Sequence, residues 1–358
     1  MKLGLFSQPF HPTEKAISVG LEEDYQAALH ADYLGFEEVF FGEHITDPFE
    51  TITSCTSFLS TLIYTTKNIK LGTGTINLPN SHPVQVASTI AMMDHMSRGR
   101  LIMGISMGAL RTDWEAFGVL DSNKEEMFVE AIGHIISLWN NEAPYDLKGK
   151  FWNISTAKTM DSELGSGHII KPYQQGGPEI VCSALDPFSK GLIKAAERGW
   201  SPMSSNFLAA DSLKNHWKNY TIGCHNKGIK PELEKWRVAR MIFVSDSEND
   251  VQKYAKHENG PYAKCIEHIL KKLRKANKLS VFKETLSQPD SDITLDYCLD
   301  KLVITGSPND VVEQLQSLRE KVGNFGTLLY VGVDWQNTEL ARRSMELLAS
   351  KVSPILKS

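Results

Sequence analysis

Cysteine is scarce in this chain. Its five, Cys55, Cys182, Cys224, Cys265 and Cys298, are widely scattered with no C-x-x-C pair, which excludes a disulfide framework or a zinc ribbon and fits a reducing compartment. No apolar run approaches the about eighteen residues that a membrane span needs. There is no basic excess either: 38 Lys and Arg against 43 Asp and Glu leave a formal net charge of -5, no field for wrapping nucleic acid. A G-x-x-x-x-G-K-S/T loop is missing, and Gly72-Thr73-Gly74-Thr75-Ile76-Asn77 starts a G-x-G-x-x-G without its third glycine, so a P-loop or Rossmann site is not expected. The eleven histidines show no H-E-x-x-H or other ligand spacing, and no metal is predicted. The apolar start Met1–Phe6 gives way at once to polar and turn residues, too short for a secretory core, and the expectation is a cytoplasmic protein.

What is present is a repeated strand-then-helix order. Strands are predicted at Leu3–Ser7, Glu38–Phe41, Ile69–Ile76, Leu101–Ser106, Ile180–Cys182, Trp200–Ser204, Val238–Val244 and Thr327–Val333. Helices are predicted at Val19–Leu34, Thr51–Thr65, Pro83–Met96, Lys124–Trp139, Ser189–Arg198, Ala210–Gly223, Glu248 onward and Asp310–Lys321, with Glu339–Lys351 closing the chain. Eight such units predict an α/β fold, a single-domain (β/α)8 TIM barrel over residues 1–358, whose site is built at the C-terminal ends of the strands. Two segments exceed the minimal barrel, about 140–178 after the fourth unit and 257–300 after the seventh. The first suits a short hairpin, the second a helix over Pro261–Lys278, and lids are the usual reason for such lengths. The basic run Lys271, Lys272, Arg274, Lys275 and Lys278 in the second reads as a solvated helix face, with attraction of an anion toward the barrel mouth as the alternative.

The stretch Leu71 to Gly108 is the most informative. Pro83 opens a helix where its missing N–H costs nothing, and Arg98-Gly99-Arg100 leads into the next strand. Gly72 and Gly74 share one face of the third strand, and Gly104 shares a face with Ser106 in the fourth. Interior strand glycine marks either tight barrel packing or the approach of a flat ligand or another backbone. His44 follows Val39-Phe40-Phe41-Gly42-Glu43 at the C-terminal end of the second strand, where side chains project into a barrel's site, and an imidazole there can move a proton near neutral pH. Glu43 would orient the loop or cap the next element. Phe6, Phe10, Phe41, Ile76 and Trp335 lie near strand ends and suit an apolar pocket or the core, with Gln8 and His11 as polar markers.

The run His82-Pro83 through Gly108, with Met93-Asp94-His95-Met96-Ser97-Arg98-Gly99-Arg100 inside it, resembles the signature of the bacterial luciferase-like flavin monooxygenases. Phe41-Gly42-Glu43-His44, Gly306-Ser307-Pro308, Phe325-Gly326-Thr327-Leu328-Leu329 and Asp334-Trp335 extend the likeness over nearly the whole chain. The turn Gly108-Ala109-Leu110 and the Phe325–Trp335 tail are most similar to the limonene monooxygenase-like branch. The resemblance implies that His44 is catalytic, that a cis bond joins Gly74 and Thr75, and that the glycines open a slot for an isoalloxazine ring with Asn77 at its edge. Ser106 stands where the luciferases have a cysteine beside the flavin. Met107 replaces an arginine near its phosphate, leaving Arg111, Ser183 and Ser189 as candidate contacts, although Asp186-Pro187-Phe188-Ser189 departs from the Ser-Pro-Ser pattern of relatives.

The implied chemistry is reaction of reduced FMN with O2 to a C4a-(hydro)peroxyflavin that oxygenates a small, mainly apolar organic molecule. With no nicotinamide site in the sequence, a separate flavin reductase would supply the reduced flavin, and a homodimer through the outer helices is implied. Two rivals remain: a deazaflavin F420-dependent hydride-transfer oxidoreductase on the same barrel, and a flavin-binding or partner subunit without activity of its own.

Overall fold

Eight short runs, most of them apolar, become eight parallel strands in the computed structural model, which describes residues 1–8 and 10–357. They are β1 (Lys2–Ser7), β2 (Glu38–Phe41), β3 (Lys70–Thr73), β4 (Leu101–Ser106), β5 (Glu179–Ala184), β6 (Ser201–Ser204), β7 (Arg237–Val244) and β8 (Thr327–Gly332). Neighbours in sequence pair in order, β8 returns to β1 in the register Lys2↔Thr327 to Ser7↔Gly332, and β6 meets β7 through Arg237↔Met203, so the ring closes. The predicted α/β barrel is the observed one.

At the N-terminal end of the barrel an ion triad crosses the interior. Arg237 places Nε 2.8 Å from Glu38 Oε1 and Nη1 2.9 Å from Glu179 Oε1, tying β7 to β2 and β5. Burial is tolerable for this guanidinium because two carboxylates surround it.

The third strand is interrupted. Its ladder stops at Thr73, a cis bond joins Gly74 and Thr75 as anticipated, and Ile76–Asn77 then resumes pairing with β4. Gly72 and Gly104 are packing residues, which corrects the slot expected at those two. A Cβ on Gly72 would lie 2.3 Å from the Phe40 ring, one on Gly104 only 1.9 Å from the carbonyl oxygen of Thr73, and one on Gly74 about 3 Å from Phe40 and Phe6. Thr73 Oγ1 donates to the Gly104 carbonyl at 2.8 Å, so β3 and β4 approach closely because side chains are missing.

The helices follow the expected order with shifted ends, the largest shift being Cys55–Leu62 where Thr51–Thr65 was expected. Pro83–Ser97, one residue longer than expected, stops at Arg98 and Gly99, both left-handed, with φ of 53° and 82°. Segment 140–178 holds the anticipated hairpin, Asp146–Leu147 against Ile154–Ser155, and Glu130 fixes its tip by accepting from the backbone N–H groups of Lys150, Phe151 and Trp152.

The segment between β7 and β8 departs more. After Glu248–Asp250 the chain adopts a π-helical turn over Val251–Lys256, then the helix Pro261–Lys275 and a second helix, Leu295–Leu302. The strand Val303–Gly306, not anticipated, pairs in parallel with the second half of β7 from Met241↔Val303 to Val244↔Gly306. Ser245 N donates to the Gly306 carbonyl at 3.0 Å, bringing both ends of the excursion together. The basic run is not one solvated face: Arg274 donates to the Ile293 carbonyl, and Lys272 turns toward Asp47 and Glu50.

Candidate active site

β2 ends at Phe41, and Gly42-Glu43-His44 carries the chain over the C-terminal rim. His44 Nδ1 lies 3.0 Å from Asp113 Oδ2, and because a carboxylate only accepts, Nδ1 carries a hydrogen and Nε2 is left to face Glu50. Nε2 sits 3.7 Å from Glu50 Oε2. Asp113 belongs to Arg111–Ala116, a short helix after β4, and its Oδ1 accepts from Ile45 N at 3.3 Å, Thr46 N at 2.9 Å and Thr46 Oγ1 at 2.6 Å. One buried carboxylate therefore fixes both the loop and the ring. Burial disfavours a charged imidazole, but the charge of Glu50 and the hydrogen bond to Asp113 outweigh it and raise the His44 pKa; Lys272 acts against them.

Glu43 serves both purposes considered for it. Its carboxylate accepts from Cys55 N at 3.0 Å, capping Cys55–Leu62, and from Asn77 N at 3.3 Å, holding the end of the third strand to the second. Burial pushes its pKa up.

Thr75, Asn77 and Ser106 converge. Thr75 Oγ1 donates to Ser106 Oγ at 2.7 Å, Ser106 Oγ donates to Asn77 Oδ1 at 2.8 Å, and Gly108 N donates to Ser106 Oγ at 3.0 Å. A serine at 106 can accept and donate at once, which is what this junction of β3 and β4 uses. Ser183 is exposed at the end of β5, beside Ser106 in the register that pairs Ile105 with Cys182. Met107 is exposed, its carbonyl accepting from Trp114 Nε1, and Arg111 is exposed at the first helical residue.

Ser189 does not offer the anion site considered for it. Its hydroxyl donates to the Asp186 carbonyl at 2.6 Å, and the Asp186 carboxylate takes the N–H groups of Phe188 and Ser189, so this turn is satisfied internally. The helix begins only at Gly191.

The apolar candidates divide likewise. Phe41 packs edge-on against Phe58 at 4.6 Å, and Phe10 stacks on Phe49. His11 lines a small cavity and is pinned there, Nδ1 2.7 Å from Asp334 Oδ1 and Nε2 3.1 Å from Asp24 Oδ2. Burial opposes its charging, yet the two carboxylates raise its pKa to about 9. His11, Glu23 and Asp334 gather like metal ligands, but the Lys15 ammonium stands among them, 2.6 Å from Asp334 and 2.7 Å from Glu23. The adjoining cavity, bounded by Gln8, Phe10 and Trp335, measures about 20 Å³, room for a water rather than a substrate.

Sequence reasoning missed Asp113, Glu50, Asp47, His268 and Lys272. A signal existed for the last two, since four-residue spacing on a helix puts His268 and Lys272 on one face. His216, also missed, is a satisfied core residue between Ser204 Oγ and the Asp186 carbonyl, its pKa lowered to about 4 by burial. Among the described residues no helix is long and apolar enough to cross a membrane.

Comparison with known proteins gives consistent matches. The family described as luciferase-like monooxygenase matches residues 1–324. The 4-hydroxyprotoasukamycin monooxygenase of Streptomyces nodosus subsp. asukaensis is 26% identical over 99% of this chain and 92% of its own. Limonene 1,2-monooxygenase of Rhodococcus erythropolis is 26% identical over 98% of this chain and 85% of its own. Among solved structures, the oxygenating constituent of 3,6-diketocamphane monooxygenase from Pseudomonas putida, a type II Baeyer-Villiger monooxygenase in complex with FMN, shares the fold with a TM-score of 0.89 at 24% identity, covering 99% of this chain and 98% of that one.

Proposed function

Because the chain belongs to the luciferase-like monooxygenase family, we propose that it acts as a single-domain oxygenase, using reduced FMN and O2 to insert one oxygen atom into a small, mainly apolar organic molecule. One observation carries this reading: the His44–Asp113 pair and the Thr75–Ser106–Asn77 junction occupy one rim of the barrel, joined through Glu43. That donor set fits a flavin ring, whose edge offers several acceptors and donors and whose faces are apolar. Gly74, Thr75, Asn77 and Ser106 would hold the ring, and Ser183 with Arg111, near Met107, would meet the phosphate. Reduced FMN, when bound, supplies the activation of O2 at its C4a carbon.

The chain's own part is threefold. The Thr75–Ser106–Asn77 junction orients the ring, the loops of the rim exclude water, and His44 handles one proton at Nε2. Asp113 and Glu50 favour the imidazolium, so His44 stands ready as a donor toward the oxygen atom that must leave protonated.

The reduced flavin would come from a separate reductase, in keeping with the absence of a dinucleotide fingerprint and with the description of the 3,6-diketocamphane monooxygenase chain as an oxygenating constituent. A cytoplasmic homodimer completes the reading.

The test is turnover with FMN, a flavin reductase, NADH and 18O2 against a panel of small apolar ketones and alkenes. Product carrying one labelled oxygen supports the proposal. Anaerobic reduction of a substrate by reduced F420, or tight binding of reduced FMN with no oxygenated product from any panel member, would overturn it in favour of one of the two rivals.

A further inference from the structure

Helix Pro261–Lys275 lies in the excursion between β7 and β8, yet one of its side chains reaches within one carboxylate of the candidate catalytic imidazole. Glu50 Oε1 is 3.4 Å from Lys272 Nζ, while Glu50 Oε2 is 3.7 Å from His44 Nε2. Lys272 Nζ also pairs with Asp47 Oδ2, and His268, one turn earlier, brings Nε2 to 3.2 Å from the same oxygen. The His268 ring lies 4.1 Å from Phe49, which stacks in turn on Phe10 at 5.4 Å. An apolar stack thus seats the helix, and its ammonium arrives beside the rim.

These are not the loose surface pairs whose worth is near zero. The side chains of Asp47 and Glu50 are 4% and 10% exposed, so a charge delivered to them is poorly screened.

The geometry points to Lys272 as a positioning residue for proton transfer: by sharing the Glu50 carboxylate with His44, it couples the seating of helix Pro261–Lys275 to the release of the proton on Nε2. The inference rests on the reading of His44 as the proton-handling group.

The balance of charge around the imidazole gives the direction. Asp113 faces it from helix Arg111–Ala116, Glu50 from the loop after β2, and Glu43 is its neighbour in the chain; Lys272 is the cation that acts on it. Around Lys272 stand Asp47, Glu50, the buried thiol of Cys265, and, through Asp47, His268. With the ammonium docked, part of the Glu50 charge is neutralised and the imidazolium yields its proton more readily. With the helix lifted, Glu50 serves His44 alone and the proton is held. Release is thereby favoured when the excursion is seated over the rim.

Lys272→Met keeps the aliphatic stem and removes the charge; Lys272→Arg restores it. The readout is the NMR titration of the His44 ring in the full-length, flavin-free protein. The midpoint is expected to rise by about one pH unit in K272M and to return near the wild-type position in K272R. The alkaline limb of kcat/KM should move in the same direction. A K272M midpoint coinciding with that of the wild type, in a protein of unchanged thermal stability, would overturn the inference.

Should K272M not fold, Glu50→Gln serves instead. Its midpoint should fall, and an unchanged midpoint overturns the inference equally. Wild-type turnover by His44→Ala would remove the proton-handling role itself, a failure distinct from an unmoved titration.

Discussion

Replacing Asp113 by asparagine changes one atom and should reverse the chemistry of His44. Oδ1 of Asp113 accepts three hydrogen bonds, from Ile45 N, Thr46 N and Thr46 Oγ1, whereas Oδ2 accepts only from His44 Nδ1. The new amide therefore keeps its oxygen toward residues 45 and 46 and turns its NH2 group toward the imidazole, which must then accept at Nδ1 and stay neutral. A hydrogen bond between two charged groups contributes about 1.5 to 3 kcal/mol, and 1.36 kcal/mol corresponds to one unit, so the His44 midpoint should fall by about one to two units. A general acid lost at neutral pH should lower turnover by about a hundredfold or more. Long-range 1H–15N spectra across pH report both the tautomer and the midpoint, and steady-state kinetics report the rate. An asparagine variant whose His44 still carries its hydrogen on Nδ1 and titrates as before would refute the reasoning, whatever its activity.

Two further outcomes concern the scaffold. Arg237→Met leaves Glu38, 5% exposed, without its cation, and loss of one partner from a buried ion pair costs about 3 to 5 kcal/mol, to be read from denaturant unfolding; a loss under about 1 kcal/mol would show the triad to be dispensable. His11 has its pKa raised from 6.5 to about 9, so its ion pairs add stability that is fully present below about pH 6.5 and is lost as the pH climbs through about 9, at most about 3 kcal/mol. Thermal midpoints of wild type and His11→Gln should thus converge with rising pH, and parallel profiles would count against the charged form.

The barrel was legible because its signals are local. Every predicted strand lies on an observed one, since short apolar runs bounded by turn residues, which most of them are, depend little on distant partners. Val303–Gly306 escaped notice because it follows the helix Leu295–Leu302 without a turn residue between them and takes its register from β7. The glycines were visible while their cause was not: a carbonyl 1.9 Å from a hypothetical Cβ is a tertiary fact. His44 stood out by its place at a strand end. Its partners Asp113, Glu50 and Lys272 sit in segments that read alone as ordinary polar helix or loop, and only folding brings them to the imidazole. Ser189 failed for the opposite reason, a plausible anion turn whose donors its own Asp186 consumes.

The return of Val303–Gly306 to the stave from which the excursion departs gives residues 245–302 the character of a detachable module. Closing a loop depends on its two feet and only weakly on its length, so this portion can lengthen, shorten or be swapped while β8 keeps its partners. Diversification in that module can leave the rim around His44 intact where a cation is kept at position 272 to meet Asp47 and Glu50.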